Sequence, residues 1–182
     1  MPETLKPYST LIDFVTGEEV PNIGAEENRQ AVERFLVEEK GYLKADIAVD
    51  VDIELTIAGA PYQSQIDLVV SLDEGCVRFM VFKCAAASLG SREREIIAAA
   101  RLLDANYQIP YAVVSDGKSA IVLDTITGKK IEEGMAAIPS KKQAIDTLKS
   151  IDLVALPKER LERERLIFRT YDNQNVNVQR NL

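Results

Sequence analysis

The chain has 182 residues, 46% of them hydrophobic and 28% charged, with a formal net charge of −7. That length suits one domain burying roughly two-thirds of its unfolded surface, with room for a short extension, and no apolar run approaches a membrane span. The acidic balance opposes indiscriminate binding to phosphate backbones, and the absence of histidine excludes triads and imidazole bases.

Cys76 and Cys84 lack CxxC spacing, so neither a zinc site nor a disulfide framework follows. Acid–base or metal chemistry therefore falls to Asp, Glu, Lys or Tyr. The opening MPETLKPYSTLIDF has neither the basic nor the apolar region of a signal peptide, and a cytoplasmic protein is expected.

Residues 1–22 read as an irregular leader punctuated by Pro2, Pro7, Gly17 and Pro21. A helix is predicted from about Ala25, with Val32, Phe35 and Leu36 as its apolar face, glutamates over the rest and Gly41 as its C-cap. IAVDVDIELTI, residues 47–57, alternates apolar and polar residues strictly, the pattern of a half-buried strand, and AGAP then turns the chain. YQSQIDLVVSL and VRFMVFKCA, separated by a DEG turn, are apolar on both faces and predict central strands. A second helix is predicted over about 91–105, then a buried strand in YAVVSDG and a hairpin in SAIVLDTITGKKI. From about Pro139 the pattern becomes helical and more charged, PKERLERERLIF predicts an exposed helix, and DNQNVNVQRNL is a polar tail. The expected organisation is a domain over 1–138 and a charged helical extension over 139–182. Its fold class is α/β, a mixed central sheet flanked by helices in αβββαβ order.

Asp67 and Lys83 fall near the ends of the two central strands. Phosphodiester hydrolysis needs a divalent cation held by fixed negative charge, magnesium prefers oxygen ligands, and a nearby lysine can orient water and offset developing charge. Side chains two apart share a strand face, so residue 81 is the natural second ligand; it is Val81, which cannot ligate. The competing reading is a plain ion pair at a sheet end. Lys129 with Lys130 and Lys141 with Lys142 read as solvated surface, SDGKS at 115–119 as a hairpin turn rather than a phosphate loop, and Cys84 as a buried strand-end thiol.

The succession DFVTGEEV, AEENRQAVERFLVEEKGY, QIDLVV, FMVFK and IPYAVVSDGKSAIVLDTITGK, over roughly residues 10–130, resembles the N-terminal domain of type I restriction enzyme R subunits, within the PD-(D/E)XK nuclease superfamily. The resemblance implies a restriction-endonuclease-like core, DNA as substrate, Mg2+ as cofactor and other restriction-system subunits as partners. It also maps the family's aspartate to Asp67, its lysine to Lys83 and its helical glutamate to Glu26 or Glu27. Two departures stand out. The family's Glu-x-Lys is Val81, Phe82, Lys83 here, and its Gln-x-x-x-Tyr pair falls at Ala99 and Leu103. In some restriction endonucleases of this superfamily the second carboxylate has moved to the following helix, which points to Glu95 as a metal ligand beside Asp67. Glu93 is the other candidate, and Arg92 and Arg94 stand ready as phosphate donors. The expectation is divided between a magnesium-dependent DNA nuclease and a catalytically silent binding or assembly module.

Overall fold

The computed structural model describes residues 8–174, with side chains through residue 172. A short hairpin, β1 (Thr10–Ile12) and β2 (Glu19–Pro21), precedes helix α1 (Glu26–Glu38). Strands β3 (Ile47–Ile57), β4 (Ala60–Leu72) and β5 (Val77–Cys84) follow, then α2 (Glu93–Leu102) and β6 (Tyr111–Ser115). The chain continues through β7 (Ala120–Asp124), β8 (Lys130–Glu133), α3 (Lys141–Leu148) and α4 (Lys158–Gln174). From α1 to β6 the order is αβββαβ, as the sequence predicts, and the architecture is restriction-endonuclease-like.

The main sheet runs β3-β4-β5-β6-β7-β8, antiparallel throughout except for the parallel pair β5–β6. The parallel pair follows from topology: β5 and β6 are joined through α2, and such a crossover returns the chain in the same direction. SDGKS is the predicted turn, with Asp116 Oδ1 accepting from the backbone of Lys118 and Ser119 at 2.9 and 2.7 Å. Gly117 is left-handed there, at φ +81, and a Cβ would also meet the Ala31 Cβ at 2.7 Å, so both the turn and the close approach of α1 call for glycine.

Two apolar layers cover the sheet. One gathers Val32 and Leu36 of α1 with Leu68, Phe79, Phe82 and Ile138; the other gathers Ile96, Ala99 and Ala100 of α2 with Val69, Val81, Ile109 and Phe168 of α4. Strand β3 serves both. Ile47 and Val49 pack in the first layer, Val51, Ile53 and Leu55 in the second. The change of side falls at Asp50, which has φ 51 and sits where the register steps from the Val49–Leu68 pair to the Val51–Ile66 pair. Aspartate tolerates this left-handed conformation better than a β-branched residue would.

The irregular leader is corrected in part: residues 10–21 form a hairpin whose strands are too short to show alternation. The Asp13 carboxylate organises its turn, accepting from the Thr16 backbone at 2.7 Å and the Val15 backbone at 3.0 Å. The exposed helix predicted in PKERLERERLIF is also corrected. Helix α4 packs along α2, with Phe168 buried and Glu164 buried beneath Arg101, 2.8 Å away. Most of the polar tail, residues 175–182, lies outside the described residues. Among the described residues no helix is long and apolar enough to cross a membrane.

Candidate active site

Asp67 on β4 and Lys83 on β5 follow the ladder that pairs Leu68 with Phe82 and Val69 with Val81, which sets them opposite each other on the face covered by α2. The Lys83 Nζ lies 3.7 Å from Asp67 Oδ1. Glu95, from the first turn of α2, reaches down to the same ammonium at 3.2 Å. All three are buried, at 5%, 8% and 3% exposure for Asp67, Lys83 and Glu95, so their charges interact through little water. Asp67 Oδ2 also accepts the backbone N–H of Cys84 at 2.7 Å, which fixes the carboxylate against the end of β5.

Burial alone would lower the Lys83 proton affinity, but the carboxylates of Asp67 and Glu95 more than offset it and hold the ammonium above its ordinary range. Burial raises the Glu95 carboxyl above its ordinary value, with Lys83 opposing. Arg92, one turn before Glu95, places Nη1 3.6 Å from Glu95 Oε2, and this buried nitrogen has no hydrogen-bond partner among the described residues. Arg94 is exposed and donates to the Tyr171 hydroxyl at 2.7 Å.

The structure thus brings Asp67, Lys83 and Glu95 together. Val81 lies fully buried in the apolar layer with Ala99, while Leu103 is half-buried. Glu93 is half-buried, and its field is felt at Lys130. Glu26 and Glu27 separate clearly. Glu27 faces solvent and accepts from Asn22 at 2.9 Å. Glu26 is buried in a second polar cluster, paired with Arg29 and accepting from Gln30 at 3.0 Å.

That second cluster was not foreseen. Arg29 also pairs with Asp13 at 2.9 Å and Glu33 at 3.0 Å, all nearly inaccessible to water. Three acids against one arginine leave an excess of negative charge. Burial foremost pushes the Glu33 carboxyl up to about 7, with Arg29 opposing and Asp13 adding to the rise. The sequence carried the signal: Glu26, Arg29, Gln30 and Glu33 fall at i, i+3, i+4 and i+7, one polar stripe beside Val32 and Leu36. Cys84 faces this side of the sheet, and burial keeps its thiol protonated far above the ordinary range.

Also unforeseen is the contribution of α4. The Tyr62 hydroxyl, on β4, donates to the Asp172 carboxylate, and the Tyr62 ring meets Phe168 edge-on at 6.2 Å. The end of α4 therefore sits beside β4 and the first turn of α2, the two elements that carry Asp67 and Glu95.

The donor set is oxygen-only and hard. Two buried carboxylates are the ligand type that Mg2+ takes, since it binds through one or two carboxylates and completes its shell with water and phosphate. Among the described residues no group of three or more Asp, Glu or Cys side chains is arranged to hold a metal ion.

The six-stranded mixed sheet with its flanking helices defines an α/β domain of restriction-endonuclease-like fold, and it carries the buried Asp67, Lys83 and Glu95 side chains together. Over residues 24–139 the chain matches the family described as type I restriction enzyme R protein N terminus, and it belongs to that family. Neither a curated protein nor a solved structure matches it.

Proposed function

We propose that the Asp67–Lys83–Glu95 site hydrolyses phosphodiester bonds of DNA with a divalent cation, Mg2+ being the best fit. One observation carries this reading: Glu95 leaves helix α2 to meet Lys83 at 3.2 Å, on the face where Val81 offers no carboxylate. Asp67 and Glu95 would hold the cation. When bound, it would polarise the phosphate and lower the pKa of the attacking water.

The chain's own residues do the rest. Lys83, kept protonated by its two carboxylates, orients the water and offsets charge on the phosphate oxygens. The Cys84 amide holds Asp67 in place, and the Arg92 guanidinium, ion-paired with Glu95 at 3.6 Å, would offer a phosphate oxygen a charge-assisted donor. In this reading the protein acts in the cytoplasm, and delivery of DNA is shared with other restriction-system subunits, since a net charge of −7 gives the chain little affinity of its own.

Cleavage of DNA should require a divalent ion and collapse in Asp67→Ala and Lys83→Ala proteins; activity that survives both substitutions sinks the assignment. A second reading has its own support. Val81 and Ala99 fill the places of a family carboxylate and glutamine with apolar packing, as a silent binding or assembly module would. Correctly folded protein that binds no divalent ion favours that reading.

A further inference from the structure

Helix α4 lies beyond the stretch that matches the family, which ends at residue 139, so nothing in the family assigns it a part in the site. Yet its C-terminal turn is pinned on two sides. Tyr62 of β4 donates to Asp172, and Arg94 of α2 donates to the Tyr171 hydroxyl at 2.7 Å while its guanidinium stands 5.5 Å from that ring. Tyr62 precedes Asp67 on the same strand by five residues, and Arg94 adjoins Glu95. These anchors hold α4 to the elements on which the site depends.

Charge gives the arrangement a purpose. Lys83 and Arg92 match Asp67 and Glu95 one for one, so the four alone offer a divalent cation no net attraction. Asp172 adds negative charge, and its field reaches both Lys83 and Glu95 as well as Tyr62. Arg169, on the preceding turn of α4, bears on Tyr62.

Resting on the nuclease reading above, we infer that the end of α4 is a wall of the active site and that Asp172, oriented by the Tyr62 hydroxyl, is a positioning residue that sets cation affinity there. In this inference Asp67 and Glu95 remain the direct ligands. Asp172 acts through its field and through water in the outer shell of the ion, as the partners around metal ligands commonly do.

The test is titration calorimetry of Mn2+ and Mg2+ onto the full chain, with metal-free thermal melting alongside. The expected results are affinity weaker by about tenfold in Asp172→Asn, affinity near wild type in Asp172→Glu and an intermediate loss in Tyr62→Phe. Metal-free melting should change little, and Asp67→Asn and Glu95→Gln should abolish binding. Wild-type affinity in Asp172→Asn, with binding lost in Asp67→Asn and Glu95→Gln, overturns this inference and leaves the nuclease reading standing. Equal weakening in Asp172→Asn and Asp172→Glu, with equal losses of metal-free stability, overturns it too, since α4 is then only a structural support. A wild-type chain that binds neither ion overturns both.

Discussion

Replacing Lys83 with methionine keeps the aliphatic stem and removes the charge that two buried carboxylates share. Asp67 and Glu95, 5% and 3% exposed, would lose their ammonium at 3.7 and 3.2 Å. Breaking a buried ion pair from one side typically costs about 3–5 kcal/mol. The Cys84 amide on Asp67 and Arg92 beside Glu95 survive, which argues for the lower end, about 3 kcal/mol. With a urea dependence of about 2 kcal/mol per molar, the midpoint should fall by about 1.5 M at pH 8. The loss is itself pH-dependent. Burial already raises Glu95, and without Lys83 it rises further. The ionised folded state is then penalised at high pH, and the penalty is relieved as pH falls through the folded pKa toward the ordinary glutamate value. The gap between wild type and variant should therefore narrow from pH 8 to pH 5. Far-UV circular dichroism is the natural probe, because the chain has no tryptophan. An unchanged midpoint at pH 8, or a gap that ignores pH, would refute the claim that Lys83 neutralises this site.

Two further predictions concern other parts of the molecule. Glu33, at about 7 in the folded chain against an ordinary 4.5, makes stability fall as pH rises between those values. Glu33→Gln should remove up to about 3 kcal/mol of that pH dependence in urea titrations across the window; an unaltered slope refutes the buried-acid account. Gly117→Ala sets a Cβ 2.7 Å from Ala31 and 3.1 Å from the Asn28 carbonyl in a left-handed turn, whereas Gly24→Ala is left-handed in open space. Thermal melting should show the Gly117 variant about 2 kcal/mol below wild type and the Gly24 variant about 1 kcal/mol below, and equal losses would deny the close approach of the turn to α1.

What the sequence revealed depended on whether the signal was local. Alternation in residues 47–57 marks β3 because every second side chain meets an apolar layer, although periodicity does not show that the layer changes at Asp50. Glu95 entered through the family resemblance, whereas the approach of Asp67 to Lys83 was legible because strand pairing sets them opposite each other. Asp172 was not, since its approach depends on α4 folding back along α2 from far downstream, and PKERLERERLIF shows only Phe168 as a strong anchor. The Arg29 cluster was hidden for a different reason. Glu26 and Glu33 look like solvated helix acids until the hairpin brings Asp13 over them, and Thr10–Ile12 and Glu19–Pro21 are too short to announce that hairpin.

The central claim is that a helix carboxylate does the work Val81 cannot. Nicking of supercoiled plasmid by wild type, Glu95→Gln and Glu93→Gln in Mg2+ tests it most directly. The account predicts Mg2+-dependent nicking by wild type and by Glu93→Gln, and a loss of at least about a hundredfold in Glu95→Gln. Nicking by Glu95→Gln at the wild-type rate contradicts it.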